Sequence, residues 1–159
     1  NLKNQPGNNM KLICLAFVLL NTPVIENEIR FLCEIIVKVR NTYSIKANKD
    51  STSYQVMDKN NNELVNFSSI EHFGMSLDKI AHQLNNGIKN DREKLKESKL
   101  SNKYKLFGLD AFKILKVDKN GNKGFTFLLA YKAYILIFNT RIENIDEILT
   151  LEIIKKTND

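Results

Sequence analysis

Two cysteines, two histidines and no tryptophan leave this 159-residue chain poor in the side chains that most often bind metals or attack substrates. Cys14 and Cys33 form no Cys-x-x-Cys pair, and His72 and His82 lie ten apart, without the i, i+4 spacing of a helical zinc site. Free buried thiols are the default for the cysteines; export would allow them to pair. No Gly-x-Ser-x-Gly elbow surrounds Ser53, Ser68, Ser69, Ser76 or Ser101, and Gly121 and Gly124 precede no Lys-Ser or Lys-Thr of a phosphate loop. The apolar run Leu12 to Leu20 falls well short of the about 20 residues that a membrane-spanning helix requires. These absences predict no catalytic, cofactor or metal residues and no transmembrane helix in the mature form.

The composition itself is that of an ordinary folded domain. A hydrophobic content of 43%, nine Phe and a charged fraction of 26% argue against disorder and supply a core without metal or disulfide. Net charge is +6, but the excess is spread out. Its densest stretch, Lys89 to Lys105, mixes Lys89, Arg92, Lys94, Lys96, Lys99, Lys103 and Lys105 with Asp91, Glu93 and Glu97. That pattern reads as a solvated face, and Tyr104 alone among aromatics interleaves with the charges, too little to stack successive bases, so nucleic acid is not the expected partner. Contact with an anionic surface through this stretch stays open as a further reading.

Residues 1–24 form an N-terminal segment and 25–159 one domain. Within the first segment, Met10 to Leu20 has the outline of an export signal, with Lys11 before an apolar core, but Asn21-Thr22-Pro23 supplies no small-x-small cleavage site. An export signal and a buried first strand are equally compatible with it.

The clearest element signals lie toward the C-terminus. Asp118-Lys119-Asn120-Gly121-Asn122-Lys123 separates the apolar runs Ala111 to Val117 and Phe125 to Tyr131, which predicts a hairpin. Tyr134 to Phe138 carries no charge and predicts a strand covered on both faces. Asn144 with Glu147 resembles a capping box, and Ile145, Ile148, Leu149 and Ile153 form a stripe that predicts a closing helix on the sheet. Further back, Thr52 to Met57 and Glu63 to Phe67 bracket Asp58-Lys59-Asn60-Asn61-Asn62 as a second hairpin. Ser76 caps a helix with the stripe Leu77, Ile80, Ala81, Leu84 and Ile88, expected to run to about Lys96, with Gly87 as the weak point where a kink or a break would fall. Glu97 to Lys103 then connects to the sheet. Ile25 to Val39 fits both a helix and an alternating strand, and Glu26 and Glu28 ahead of Lys38 and Arg40 favour the helix.

Asp58-x-Asn60-x-Asn62 and Asp118-x-Asn120-x-Asn122 echo each other and the start of a calcium loop. The glycine required at position six is Glu63 or Lys123, however, and the bidentate glutamate at position twelve is Ser69 or Leu129. Turns are the better reading.

Taken together, the Ser76-Leu77-x-x-Ile80-x-x-x-Leu84 helix, the strand entry Leu106-Phe107-Gly108-Leu109-Asp110-Ala111, the Asn120-Gly121 hairpin, the Tyr134 to Phe138 strand and the closing helix resemble the PsbP-like and DcrB-like families over about residues 52–156. The resemblance implies an α/β/α sandwich and a non-catalytic accessory role of secretion-associated, envelope, chaperone-like or immunity-like kind, often outside the cytoplasm. It transfers no functional residues. The expectation is therefore an α+β domain, a mostly antiparallel sheet with helices packed on it, that binds another protein. The alternative is a small hydrolase or nuclease using His72 or His82 as general base.

Overall fold

Alternation of apolar and polar residues takes most of the chain into strands. The computed structural model describes residues 27–32, 34–48, 52–90 and 94–154. Seven strands form one antiparallel sheet in the order β3 (Ser44–Ala47), β4 (Ser53–Met57), β5 (Glu63–Glu71), β9 (Tyr134–Thr140), β8 (Lys123–Tyr131), β7 (Leu109–Asp118), β6 (Leu95–Leu106). A smaller sheet in the order β1 (Glu28–Phe31), β2 (Ile35–Val39), β10 (Leu149–Ile153) lies on one face of it, and the helix α1 (Leu77–Asn90) lies on the other. The fold is α+β, mostly antiparallel sheet.

β9 is the central strand, as its uncharged sequence predicts. Phe138 faces the small sheet with Phe67 and Phe127 on either side in register, and all three are fully buried. Ile135 faces the helix with Leu128, under Ile80 and Ala81 of α1. Burying one such side chain is worth about 1.5–3 kcal/mol, so these two clusters dominate the stability. Ser76 Oγ accepts from the Lys79 N–H at 3.3 Å, and α1 runs through Gly87 without a break, ending at Asn90 short of the expected Lys96. Ser98 Oγ donates to the buried Asn85 Oδ1 at 2.6 Å and ties the helix to β6.

The twin turns have the same hydrogen bonds. Asp58 Oδ1 accepts from the N–H of Asn60 and of Asn62 at 2.8 Å, and Oδ2 accepts from Asn62 Nδ2 at 2.9 Å. Asp118 does the same with Asn120 and Asn122, every bond at 2.8 Å. The left-handed position holds Asn61 in one turn and Gly121 in the other, with φ of 60° and 84°. Because β5 and β8 approach β9 from opposite sides, the two hairpins cross the sheet in opposite senses. The pairs beside the turns, Met57 with Glu63 and Val117 with Lys123, therefore point to opposite faces. A bulge between Val56 and Met57 shifts the phase of β5, and Val65 and Phe67 reach the same face as Phe125 and Phe127.

Three expectations are corrected. Ile25 to Val39 is not a helix in its described part: Leu32, at φ 53°, reverses the chain, and β1 and β2 pair with Phe31 opposite Ile35. Phe31, Ile35, Val37 and Val39 are the buried set, so alternation wins over the helical reading. The closing helix shrinks to a single 3₁₀ turn, Ile145–Glu147, followed by β10. Leu149, Leu151 and Ile153 also alternate, and the ladder with β2, where Lys38 Nζ donates to Glu152 at 2.9 Å, outweighs the helical stripe. Glu97 to Lys103 is not a connection but the middle of β6. This edge strand carries Lys96, Lys99, Lys103 and Lys105 and two bulges, features that discourage pairing with a further strand. The layer expected to be a closing helix is thus a three-stranded sheet. The export-signal candidate Met10 to Leu20 and both cysteines lie outside the described residues.

Candidate functional site

Each end of the large sheet gathers a group of side chains. At the end away from the twin turns, β5 passes into α1 through His72-Phe73-Gly74-Met75. Phe73 and Gly74 both have positive φ, 47° and 78°, and the Met75 N–H donates to the His72 carbonyl at 2.8 Å. His72 holds this turn: its Nδ1 accepts from the Gly74 N–H at 3.1 Å, so its Nε2–H donates to the Lys132 carbonyl at 2.9 Å. The imidazole links two turns with both nitrogens occupied. Phe73 is left 82% exposed, and Ile70, three residues before it in the chain, is exposed too. A left-handed phenylalanine in water gains neither packing nor backbone relief.

The same end carries Lys132, at φ 52° in the β8–β9 turn, whose ammonium pairs with Glu34. Tyr131 Oη also donates to Glu34, at 2.8 Å, which fastens the small sheet to the large one; this bond holds the Tyr131 phenol above its usual pKa.

At the twin-turn end, a depression of about 680 Å³ opens on the helix face, lined by Asn61, Glu63, Lys116, Gly124, Asn139 and Arg141 among others. Lys116 reaches into it from β7. Its Cε lies 3.8 Å from where a β-carbon on Gly124 would stand, so the stem occupies room that the glycine leaves open. Burial pulls the Lys116 pKa below the usual lysine value. Thr126 Oγ1 donates to Asn139 Oδ1 at 2.7 Å, which leaves the Asn139 amide nitrogen to donate elsewhere.

The two histidines are not brought together. His82 stands exposed on α1, 3.6 Å from Asp78 one turn away. Among the described residues, no three His, Cys, Asp or Glu lie close enough to hold a metal, and no helix is long and apolar enough to cross a membrane. Phe107 and Phe112 pack against the core, while Leu109 is partly exposed. Of the lysines from Lys89 to Lys105, Lys89 lies at the end of α1, Lys94 in the turn before β6, and Lys96, Lys99, Lys103 and Lys105 on the edge strand β6. Lys116 and Phe73 were missed by sequence reasoning. A strand glycine opposite a lysine, Gly124 with Lys116, was the available signal for the first; no local signal marks the second.

Comparison with protein-family models, with curated proteins and with solved structures gave no match to this chain.

Proposed function

We propose that this chain is a non-catalytic protein-binding accessory module, of extracytoplasmic, envelope or secretion-associated kind, with Phe73 as the anchor of its interface. The observation that carries the reading is an exposed aromatic held in a left-handed turn by both nitrogens of His72. A rigid aromatic loses little entropy on docking and suits a partner's apolar pocket. Glu71 and Asp78 flank the turn along the chain, and their charge favours a protein pocket over an anionic bilayer. A likeness to PsbP-like and DcrB-like proteins would be compatible with the antiparallel sheet and α1; the three-stranded layer in place of a closing helix departs from their α/β/α sandwich. The hydrolase reading has less in its favour, since His72 is engaged on both nitrogens and the His82 and Asp78 pair lies open on a helix.

Phe73→Asn tests the reading, because asparagine tolerates positive φ. The variant is expected to raise stability by about 0.5–1 kcal/mol. With a photo-crosslinker at position 70, wild type is expected to give one discrete protein adduct in the native cell, and Phe73→Asn to lose it through an affinity drop of about tenfold or more. An unchanged adduct defeats the reading. Loss of binding to anionic vesicles without any protein adduct replaces the partner with a membrane.

A further inference from the structure

Two lysines on β7 meet opposite fates. Lys113 faces the small sheet, where its ammonium pairs with Glu143 and lies 5.0 Å and 5.2 Å from the ring centres of Tyr104 and Phe125. Lys116, on the helix face, is half-buried in the depression with no carboxylate within ion-pair distance among the described residues. A partly desolvated charge without a counter-ion is costly, and an incoming anion recovers that cost.

We propose that Lys116, Asn139 and Arg141 form a binding site for a single carboxylate group, carried by a small organic acid or by an Asp or Glu side chain of another protein. Lys116 supplies the charge, and the Asn139 amide nitrogen supplies a directed hydrogen bond because its oxygen is already used by Thr126. Arg141 stands at the rim, close enough for its charge to act on Asp118. The lining also contains Glu63, held by the Gln55 amide. Within the lining two cations stand against one anion, and Asp118, which Arg141 feels from outside it, lowers the remaining positive charge further, which suits a carboxylate monoanion and under-compensates a phosphate dianion. The volume, about 680 Å³, has room for the chain that bears the group. This site is at the other end of the sheet from Phe73, and it stands or falls separately.

Amine labelling read by mass spectrometry tests it on the full chain. Glutarate and a glutamate-containing peptide are the probes, with sodium chloride and phosphate at equal ionic strength as controls. At a probe concentration of twice the dissociation constant, labelling of Lys116 is expected to slow about threefold while that of Lys119, exposed in the neighbouring turn, does not change. Protection by glutarate supports a free acid, and protection by the peptide alone supports a partner's side chain. Asn139→Leu provides a second test that leaves the lysine in place: protection should fall with labelling in the absence of probe unchanged. Equal protection by chloride or phosphate, or no protection, overturns the proposal.

Discussion

At one end of the seven-stranded sheet the chain reverses through Asp58 to Asn62 and Asp118 to Asn122, whose own side chains satisfy the turn. At the other end it reverses through Phe73-Gly74, Phe107-Gly108 and Lys132-Ala133, where Phe73, Phe107 and Lys132 take left-handed backbone without a side chain suited to it. The first pair of turns is held locally, by bonds within five residues. The second set leans on distant contacts as well as local ones: the Phe107 ring stands edge-on to Phe138 at 5.6 Å, Lys132 pairs with Glu34, and His72, besides its local bond to the Gly74 N–H, bridges to the Lys132 carbonyl. Local turns can form before the sheet exists, whereas the others become favourable only once the layers meet. Where the distant support includes no burial of the turn residue itself, as at Phe73, the strain points to a use outside the monomer.

The largest way to break this contrast is Phe107→Ala. Removing the ring takes away the contact that holds its turn as well as core packing, and a loss of about 3 kcal/mol is expected, read from urea unfolding. If alanine costs less than 1 kcal/mol, the turn is held by its own backbone and the two ends do not differ.

Gly121→Val attacks the other end. Valine at φ 84° is strained whatever space surrounds it, and a loss of about 1–2 kcal/mol is expected. The strain is confined to the turn, so the β5–β9 amides should keep their hydrogen-exchange protection relative to global stability. Loss of that protection would show that the turn is coupled to the far side of the sheet.

The acid limb of stability sharpens the comparison further. The Asn62 side chain holds the Asp58 carboxyl below its usual pKa, and the Asn122 side chain does the same for Asp118. Both folded values lie under the unfolded one of about 3.8, so the unfolded chain binds more protons in that window. Their contribution is complete above the unfolded value and is lost as pH falls through the folded values. Asp58→Asn with Asp118→Asn is expected to flatten the fall in stability below about pH 4, by an amount smaller than either substitution above. An unaltered acid limb would mean that the aspartates do not hold the turns.

This division also explains what could be read in the chain. The twin turns, α1 and β9 were legible because their signals are local: an Asx pattern, a serine cap with a stripe, an uncharged β-branched run. Leu149 to Ile153 was not, because its residues fit a helix and a strand alike and only the edge of β2 decides between them. Leu95 to Leu106 was hidden by the lysines that guard it as an edge strand. The depression was illegible for another reason. Lys116 meets Asn139 and the nearby Arg141 only through the register of β7, β8 and β9, and a register set by tertiary pairing leaves no mark within any one segment.

The finest distinction is between the twins themselves, which share every turn hydrogen bond and differ at the left-handed position. Asparagine tolerates φ near 60° with a small penalty, and glycine has none but loses more entropy on folding. Asn61→Gly and Gly121→Asn therefore exchange two nearly balanced costs, and each is expected to shift stability by less than about 0.5 kcal/mol. Measured together in one chain, the two shifts should cancel if the turns are energetically equivalent. A double variant that departs from the wild type by more than the sum of the singles would mean that the turns sense each other across the depression that they flank, where Asn61 is part of the lining. The carboxylate site would then be shaped by both hairpins, and its occupancy should change with either substitution.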